Sequence, residues 1–171
     1  MDTRHAVVET QLGELTLVAS GGGLIGIYFP GHWTNPDRTT FGEEAEESAD
    51  PLLAEAARQL CAYLGGDRVD FDLPTATRGG AFEEQVWSLL RAIPFGETVT
   101  YGELAVALGE RTSVARGVGR AVAHNPLSIV VPCHRVVGKN GELRGYAGGL
   151  ERKRFLLDLE GAGQLSLGLS G

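Results

Sequence analysis

Two cysteines in 171 residues, Cys61 and Cys133, are too few for a disulfide framework, and neither sits in a Cys/His spacing that resembles a zinc site. We therefore expect no structural metal and no cofactor. No apolar run approaches the roughly 18 residues that cross a bilayer, and Met1-Asp2-Thr3-Arg4-His5 is not followed by the apolar core of a signal peptide. The expectation is a cytoplasmic protein without a membrane partner. Positive charge is also scarce, with 15 Lys and Arg against 22 Asp and Glu and a net charge of −7, which taken whole argues against a nucleic-acid partner. Location changes that reading. Residues 1–77 hold 4 basic and 13 acidic groups, whereas 78–171 hold 11 basic and 9 acidic, so the second half alone can approach a polyanion.

What is present suffices for a core, since 43% of the chain is hydrophobic. Residues 5–29 predict a three-strand antiparallel meander, with turns at Gln11-Leu12-Gly13 and Gly21-Gly22-Gly23. Residues 31–48, rich in Gly, Thr, Asn, Pro and Glu, predict a solvated, mobile loop. Asp50-Pro51 is a helix start, and Leu52, Leu53, Ala56, Leu60 and Leu64 follow at helical spacing, with Cys61 as a core filler among them. Residues 67–80 predict an edge strand dissolving into a linker, which places a domain boundary there and divides the chain into 1–77 and 78–171.

The second half predicts helices. Phe82, Val86, Leu89, Leu90 and Ile93 mark the first, which Pro94-Phe95-Gly96 stops. Thr100-Tyr101-Gly102-Glu103 is a capping box opening a short helix to about Leu108. A third helix, 114–124, ends at Asn125-Pro126. Two short helices around a tight turn are the pattern of a helix-turn-helix, although an αα-hairpin looks the same. In the third helix Gly117 and Gly119 cost about 1 kcal/mol each relative to Ala, which suggests close approach by another backbone, with Arg116 and Arg120 as cationic arms.

The chain is organised around Ile129-Val130-Val131-Pro132-Cys133-His134-Arg135-Val136-Val137. Two β-branched runs enclose Pro-Cys-His-Arg, so a buried strand is expected to carry a thiol, an imidazole and a guanidinium together. A thiol is a nucleophile only as thiolate, and adjacent cations lower its pKa. A core cysteine beside a strand-end His-Arg pair fits the same residues. Neighbours on a strand face opposite ways, so joint action of Cys133 and His134 requires a sharp turn. A glycine-rich loop, Gly145-Tyr146-Ala147-Gly148-Gly149, then leads to a last helix, Glu151 to about Glu160, which buries Phe155, Leu156 and Leu159 and carries Arg152-Lys153-Arg154.

Asn125-Pro126, the Pro-Cys-His-Arg element, Gly145 to Leu150, Lys153-Arg154-x-Leu156-Leu157 and Glu160 together resemble the O6-alkylguanine-DNA alkyltransferases over about residues 80–161. The resemblance implies an α+β chain: an N-terminal ribonuclease-H-like domain with a small antiparallel sheet and one helix, and a mostly helical C-terminal domain with a helix-turn-helix and the active-site cysteine. It implies direct-reversal repair, a single irreversible transfer of the alkyl group from O6-alkylguanine, and from O4-methylthymine, to Cys133. By position, His134 is the base acting through a water, Glu160 orients and charges it, Asn125 ties the recognition helix to the active-site turn, and Tyr101 bonds the flipped base. Arg116 would fill the gap in the stack. Thr100, Val114, Ala115 and Gly119 would meet DNA, and Val136, Tyr146 and Ala147 would line the pocket. The partner is double-stranded alkylated DNA held through the minor groove by a monomer, with cooperative binding an open alternative. Arg120, Gly117 and Ala147 depart from the family's pattern, and Arg135 receives no role. A lesion-binding relative without transfer activity and a helix-turn-helix regulator are the competing readings.

Overall fold

A computed structural model of the chain describes residues 2–109 and 115–162; of Ala115 and Arg116 it describes the backbone alone. The fold is α+β, in two units. One comprises Met1–Arg78 with Pro126–Val130, the other Gly79–Asn125 with Val131–Gly171.

In the first unit, β1 (Thr3–Thr10), β2 (Gly13–Ser20) and β3 (Gly23–Tyr28) form the expected meander. Its first turn is set locally: Thr10 Oγ1 donates to Gly13 O at 2.7 Å and accepts from Leu12 N at 3.0 Å, and Gly13 takes φ 97°, where a side chain would be strained. β2 is central, and Leu15, Thr16, Leu17, Val18, Ala19 and Ser20 are all buried. The helix α1 (Pro51–Leu64) packs on β1, β2 and β3. Asp50 caps it, its Oδ1 accepting from Leu52 N at 3.0 Å and Leu53 N at 3.1 Å, while its carboxylate also pairs with Arg4 Nε at 2.6 Å.

Three expectations need correction here. Residues 31–48 are not a plain loop. Two single 3-10 turns and the short strand β4 (Glu43–Glu44), parallel to β1, give the sheet the order β3-β2-β1-β4. The physical reason is an aromatic cluster: Phe41 stacks on Tyr28 at 5.2 Å between centroids, and buried His32 stacks on Phe29 at 5.9 Å. Residues 67–80 form no strand; only Thr75 bridges Leu24, because Gln59 holds Asp72 by paired side-chain bonds instead of a neighbouring strand. Cys61 is exposed, since the buried face of α1 runs through Leu53, Ala57, Leu60 and Leu64 and Cys61 is turned off it.

The second unit contains α2 (Ala81–Arg91), α3 (Tyr101–Ala107), α4 (Ala115–Ala123) and α5 (Leu150–Leu159). Both α2 and α3 pack on α4, and Trp87 of α2 donates its indole N–H to Ala121 O at 2.8 Å. α3 and α4 are the two helices of the expected helix-turn-helix; the connection includes residues 110–114, which lie outside the described residues. A two-residue parallel ladder, β5 (Val99–Thr100) on β6 (Val136–Val137), ties the start of α3 to the end of the Pro-Cys-His-Arg segment. Among the described residues no helix is long and apolar enough to cross a membrane.

Candidate functional site

The segment 129–137 is not the continuous strand expected of it. Pro132 takes φ −80° and ψ 65°, a conformation that leaves the extended region, and Cys133–Arg135 close a single 3-10 turn before β6 begins. This is the sharp turn that joint action of Cys133 and His134 requires. Upstream, Pro126–Val130 belong to the first unit, so the chain leaves the second unit after Asn125 and re-enters it at Val131. Asn125, 2% exposed, closes the neck of that excursion by donating from Nδ2 to Val131 O at 2.8 Å.

Cys133 and His134 are buried, and His134 is fully so. His134 Nε2 lies 2.8 Å from Glu160 Oε2, and Glu160 stands at the C-cap of α5, just past its last residue. A carboxylate can only accept, so Nε2 carries the hydrogen and the neutral ring has its lone pair on Nδ1. Glu160 is also held by Arg135, whose Nε and Nη2 donate to Oε1 and Oε2 at 2.8 Å each, and by Gly96 N at 3.2 Å. Arg135 Nη1 donates to Ile93 O at 2.6 Å, and its Cζ lies 5.9 Å from the centre of Phe95. Arg135 and Glu160 thus form a buried bidentate pair, one that sequence reasoning left without a role.

Lys153 carries part of the family pattern in the sequence but was given no place in the site. Helical spacing makes it a solvated member of a basic run, yet it is 0% exposed, on the buried face of α5 with Leu156 and Leu157, while Phe155 and Leu159 are only half-buried. Its Nζ donates to Val136 O at 2.6 Å and Arg144 O at 3.2 Å, clasping β6 to the start of the glycine-rich loop. Burial pushes this amine down to about 8, and the nearby Cys133 sulfur opposes that shift.

The electrostatics correct a second expectation. Burial is the dominant influence on Cys133 and pushes the thiol up, not down; hydrogen bonding by Asn125 and the charge of Lys153 pull the other way. Burial likewise lowers the proton affinity of His134, against Glu160, which raises it.

The other sequence-picked residues fall as follows. Thr100 caps α3, accepting from Glu103 N at 3.0 Å while Glu103 Oε1 accepts from Thr100 N at 2.8 Å. That box, with the β5–β6 ladder, places half-buried Tyr101 near Cys133; burial first, and then the sulfur, raise its hydroxyl pKa. Val136 and Ala147 are buried and Tyr146 half-buried. Gly119 and Arg120 lie on α4, Gly119 half-buried and Arg120 exposed. Among the described residues a Cβ at Gly119 would meet nothing within 4 Å, apart from the helix's own backbone. Val114 and the side chains of Ala115 and Arg116 lie outside the described residues. Among the described residues no group of three or more His, Cys, Asp or Glu could hold a metal ion.

A buried thiol on a turn, a carboxylate-bound histidine beside it and a two-helix element upstream define a protein with thiol chemistry built on a sheet-and-helix unit and a helical unit. The family profile described as 6-O-methylguanine DNA methyltransferase, DNA binding domain, matches residues 81–162, and that of the same proteins' ribonuclease-like domain matches 3–77. The chain belongs to the 6-O-methylguanine DNA methyltransferase family. It is 42% identical over 156 residues, 91% of each chain, to the methylated-DNA–protein-cysteine methyltransferase of Mycolicibacterium paratuberculosis. It is also 42% identical over 158 residues to that of Methanosarcina acetivorans, covering 92% of this chain and 98% of the relative. Among solved structures, Mycobacterium tuberculosis OGT in complex with DNA superposes with a TM-score of 0.82 at 39% identity, covering 96% of this chain and 98% of the other.

Proposed function

We propose that this chain repairs alkylated DNA by direct reversal, taking the alkyl group of O6-alkylguanine onto Cys133 Sγ in a single turnover. The observation that carries the proposal is the fully buried His134, bonded to Glu160 at 2.8 Å, beside a thiol that a 3-10 turn presents. The thiol proton passes through a water to Nδ1 of His134, and the resulting imidazolium is stabilised by Glu160. Thiolate then attacks the alkyl carbon in line. The S–C bond forms as the C–O6 bond breaks, the electron pair stays on the base, and the guanine takes up a proton. Tyr101, near the sulfur, is the donor suited to that proton. The product is a thioether that no group at the site can cleave.

Lys153 fits the same chemistry. Among the described residues no carboxylate pairs with Lys153; a fully buried ammonium is costly in that setting, and the Cys133 thiolate is the anion that offsets it. DNA is the substrate-bearing partner, a reading supported by the mycobacterial relative, which is solved in complex with DNA. Within that reading α4 enters the minor groove of duplex DNA, where a narrow helix face is needed, and Gly119 offers open space on that face. Flipping delivers the base, with Arg116 in the vacated stack; the protein acts as a monomer, and O4-methylthymine, with the same alkoxy chemistry, is a second substrate.

The test is to incubate the protein with a duplex oligonucleotide carrying O6-methylguanine and to measure its mass. One added methyl group located on Cys133 supports the reading. Tight binding with unchanged mass supports a lesion-binding protein instead, and methylation persisting in Cys133→Ala overturns the assignment.

A further inference from the structure

Glu160 serves more than its histidine. A carboxylate offers four lone-pair directions, and all four are used: Oε1 accepts from Arg135 Nε and Gly96 N, and Oε2 accepts from Arg135 Nη2 and His134 Nε2. Two parallel N–H···O bonds of 2.8 Å fix the carboxylate plane as well as its distance. The guanidinium is itself anchored on its far side, by Ile93 O and the Phe95 ring. The direction from which Oε2 meets His134 is therefore set by Arg135.

The fork also changes the charge that His134 meets. A lone carboxylate beside a buried imidazole favours the imidazolium. Here the carboxylate already faces a guanidinium, so a proton added to His134 makes a net positive buried cluster. Among the described residues the charged or titratable groups acting on His134 are Glu160 and Lys153 from the α5 segment and Arg135 from its own turn; Cys133 adjoins it, and Cys133 and Arg144 in turn act on Tyr101.

We propose that Arg135 is the positioning residue of the proton acceptor: by gripping and neutralising Glu160 it keeps His134 both oriented and unprotonated, ready for the proton of Cys133. The proposal rests on Cys133 being the alkyl acceptor. The balance of influences on His134 agrees with it, since Arg135 and Lys153 oppose the proton that Glu160 favours.

The experiment follows two readouts in wild type, Arg135→Met, Arg135→Lys and the charge-balanced pair Arg135→Met with Glu160→Gln. One is the titration of His134, observed by NMR at a 13C-labelled Cε1. The other is the rate of methyl transfer from an O6-methylguanine oligonucleotide between pH 5 and 9. In Arg135→Met the carboxylate is left unmatched, and His134 takes up its proton at a pH about one unit higher or more; the neutral-pH rate falls about ten-fold and recovers as pH rises. Arg135→Lys keeps the charge without the fork, so the titration stays near wild type while the rate drops at every pH. The double substitution returns the titration to the wild-type side. A purely structural role predicts slower transfer with an unmoved titration, and that result overturns the proposal, as does a double variant that titrates like Arg135→Met. Where Arg135→Met does not fold, a titration raised by a full unit in Arg135→Lys overturns it equally. Wild-type protein that gains no methyl group refutes the acceptor reading alone, because the His134 titration is read without transfer.

Discussion

Glu160→Gln removes one charge and almost no volume, which makes it the sharpest probe of the second unit. The amide has a single acceptor oxygen, so it can keep the bond from His134 Nε2 or the bond from Gly96 N but not both. What it cannot do is neutralise Arg135, whose side chain is 9% exposed beside a fully buried carboxylate. Removing one partner of such a pair costs about 3–5 kcal/mol, because the other charge stays buried and unmatched. Against the roughly 5–15 kcal/mol that holds a domain together, the second unit becomes marginal. Urea denaturation followed by Trp87 fluorescence measures this, in a Trp33→Phe background so that the signal comes from the second unit. With a slope of about 1.5–2 kcal/mol per molar urea, the midpoint should fall by about 2 M. Adding Arg135→Met to Glu160→Gln should recover more than about 2 kcal/mol, since the stranded charge is gone. A loss below about 1 kcal/mol in the single variant, or strict additivity in the double, refutes the idea that the pair is buried and mutually dependent. The exposed Glu55–Arg58 pair of α1 is the control, and Glu55→Gln should leave the midpoint unchanged.

Asp50→Ala removes both the cap of α1 and the partner of Arg4, and should cost about 1–2 kcal/mol by thermal or urea denaturation. Arg4 first, and then the Leu53 and Leu52 amides, hold the Asp50 carboxyl below the usual range; its contribution is therefore present above that range and lost as pH falls through the lowered value, and a variant that matches wild type at neutral pH refutes this. In Cys133→Ala, Lys153 titrates near or below 8 in the folded chain and at 10.5 unfolded, so the unfolded state holds the extra proton and stability rises with pH across that window, by about 3 kcal/mol. Lys153→Met in the same background should abolish the rise, and equal slopes in the two proteins contradict the buried amine. Lys153→Met with Cys133 intact should slow alkylation of Cys133 by iodoacetamide at neutral pH, because the charge that lowers the thiol pKa is gone. Arg116→Ala should weaken repair of duplex DNA with little effect on transfer from a free-base substrate; equal loss on both opposes its place in the stack.

The parts of this fold that sequence made legible are those fixed by local rules. The Asp50-Pro51 start of α1, the Thr100–Glu103 box opening α3 and the Thr10–Gly13 turn each depend on bonds spanning two or three residues, and each stands where its pattern indicated. The parts that were not legible depend on partners distant in sequence. Glu43 and Glu44 look like a solvated acidic run until β1 supplies a strand beside them, and Phe41 stacks on Tyr28, thirteen positions away. Residues 67–80 alternate convincingly enough for a strand, but alternation indicates only which faces could pair. It supplies no neighbour.

The site shows the same division with more at stake. Cys133, His134 and Glu160 were legible because their types announce chemistry; Arg135 was expected to be buried beside them but without a partner or a role, and Lys153 was not expected there, because Lys is almost never fully buried. Yet the functional meaning of the triad lies with those cations. A buried thiol with only a histidine and a carboxylate would sit in a cluster where the thiolate and the carboxylate share a single imidazolium and one negative charge stays unmatched. With Arg135 matched to Glu160 and Lys153 held by Val136 O and Arg144 O, the thiolate becomes the ion that completes the balance. Burial raises the thiol pKa, and the site answers with a fixed positive charge in place of exposure to water. That arrangement keeps a nucleophile dry enough to attack an alkyl carbon rather than be solvated, and it assigns the acid-base properties of Cys133 as much to α5 as to the turn on which the cysteine stands.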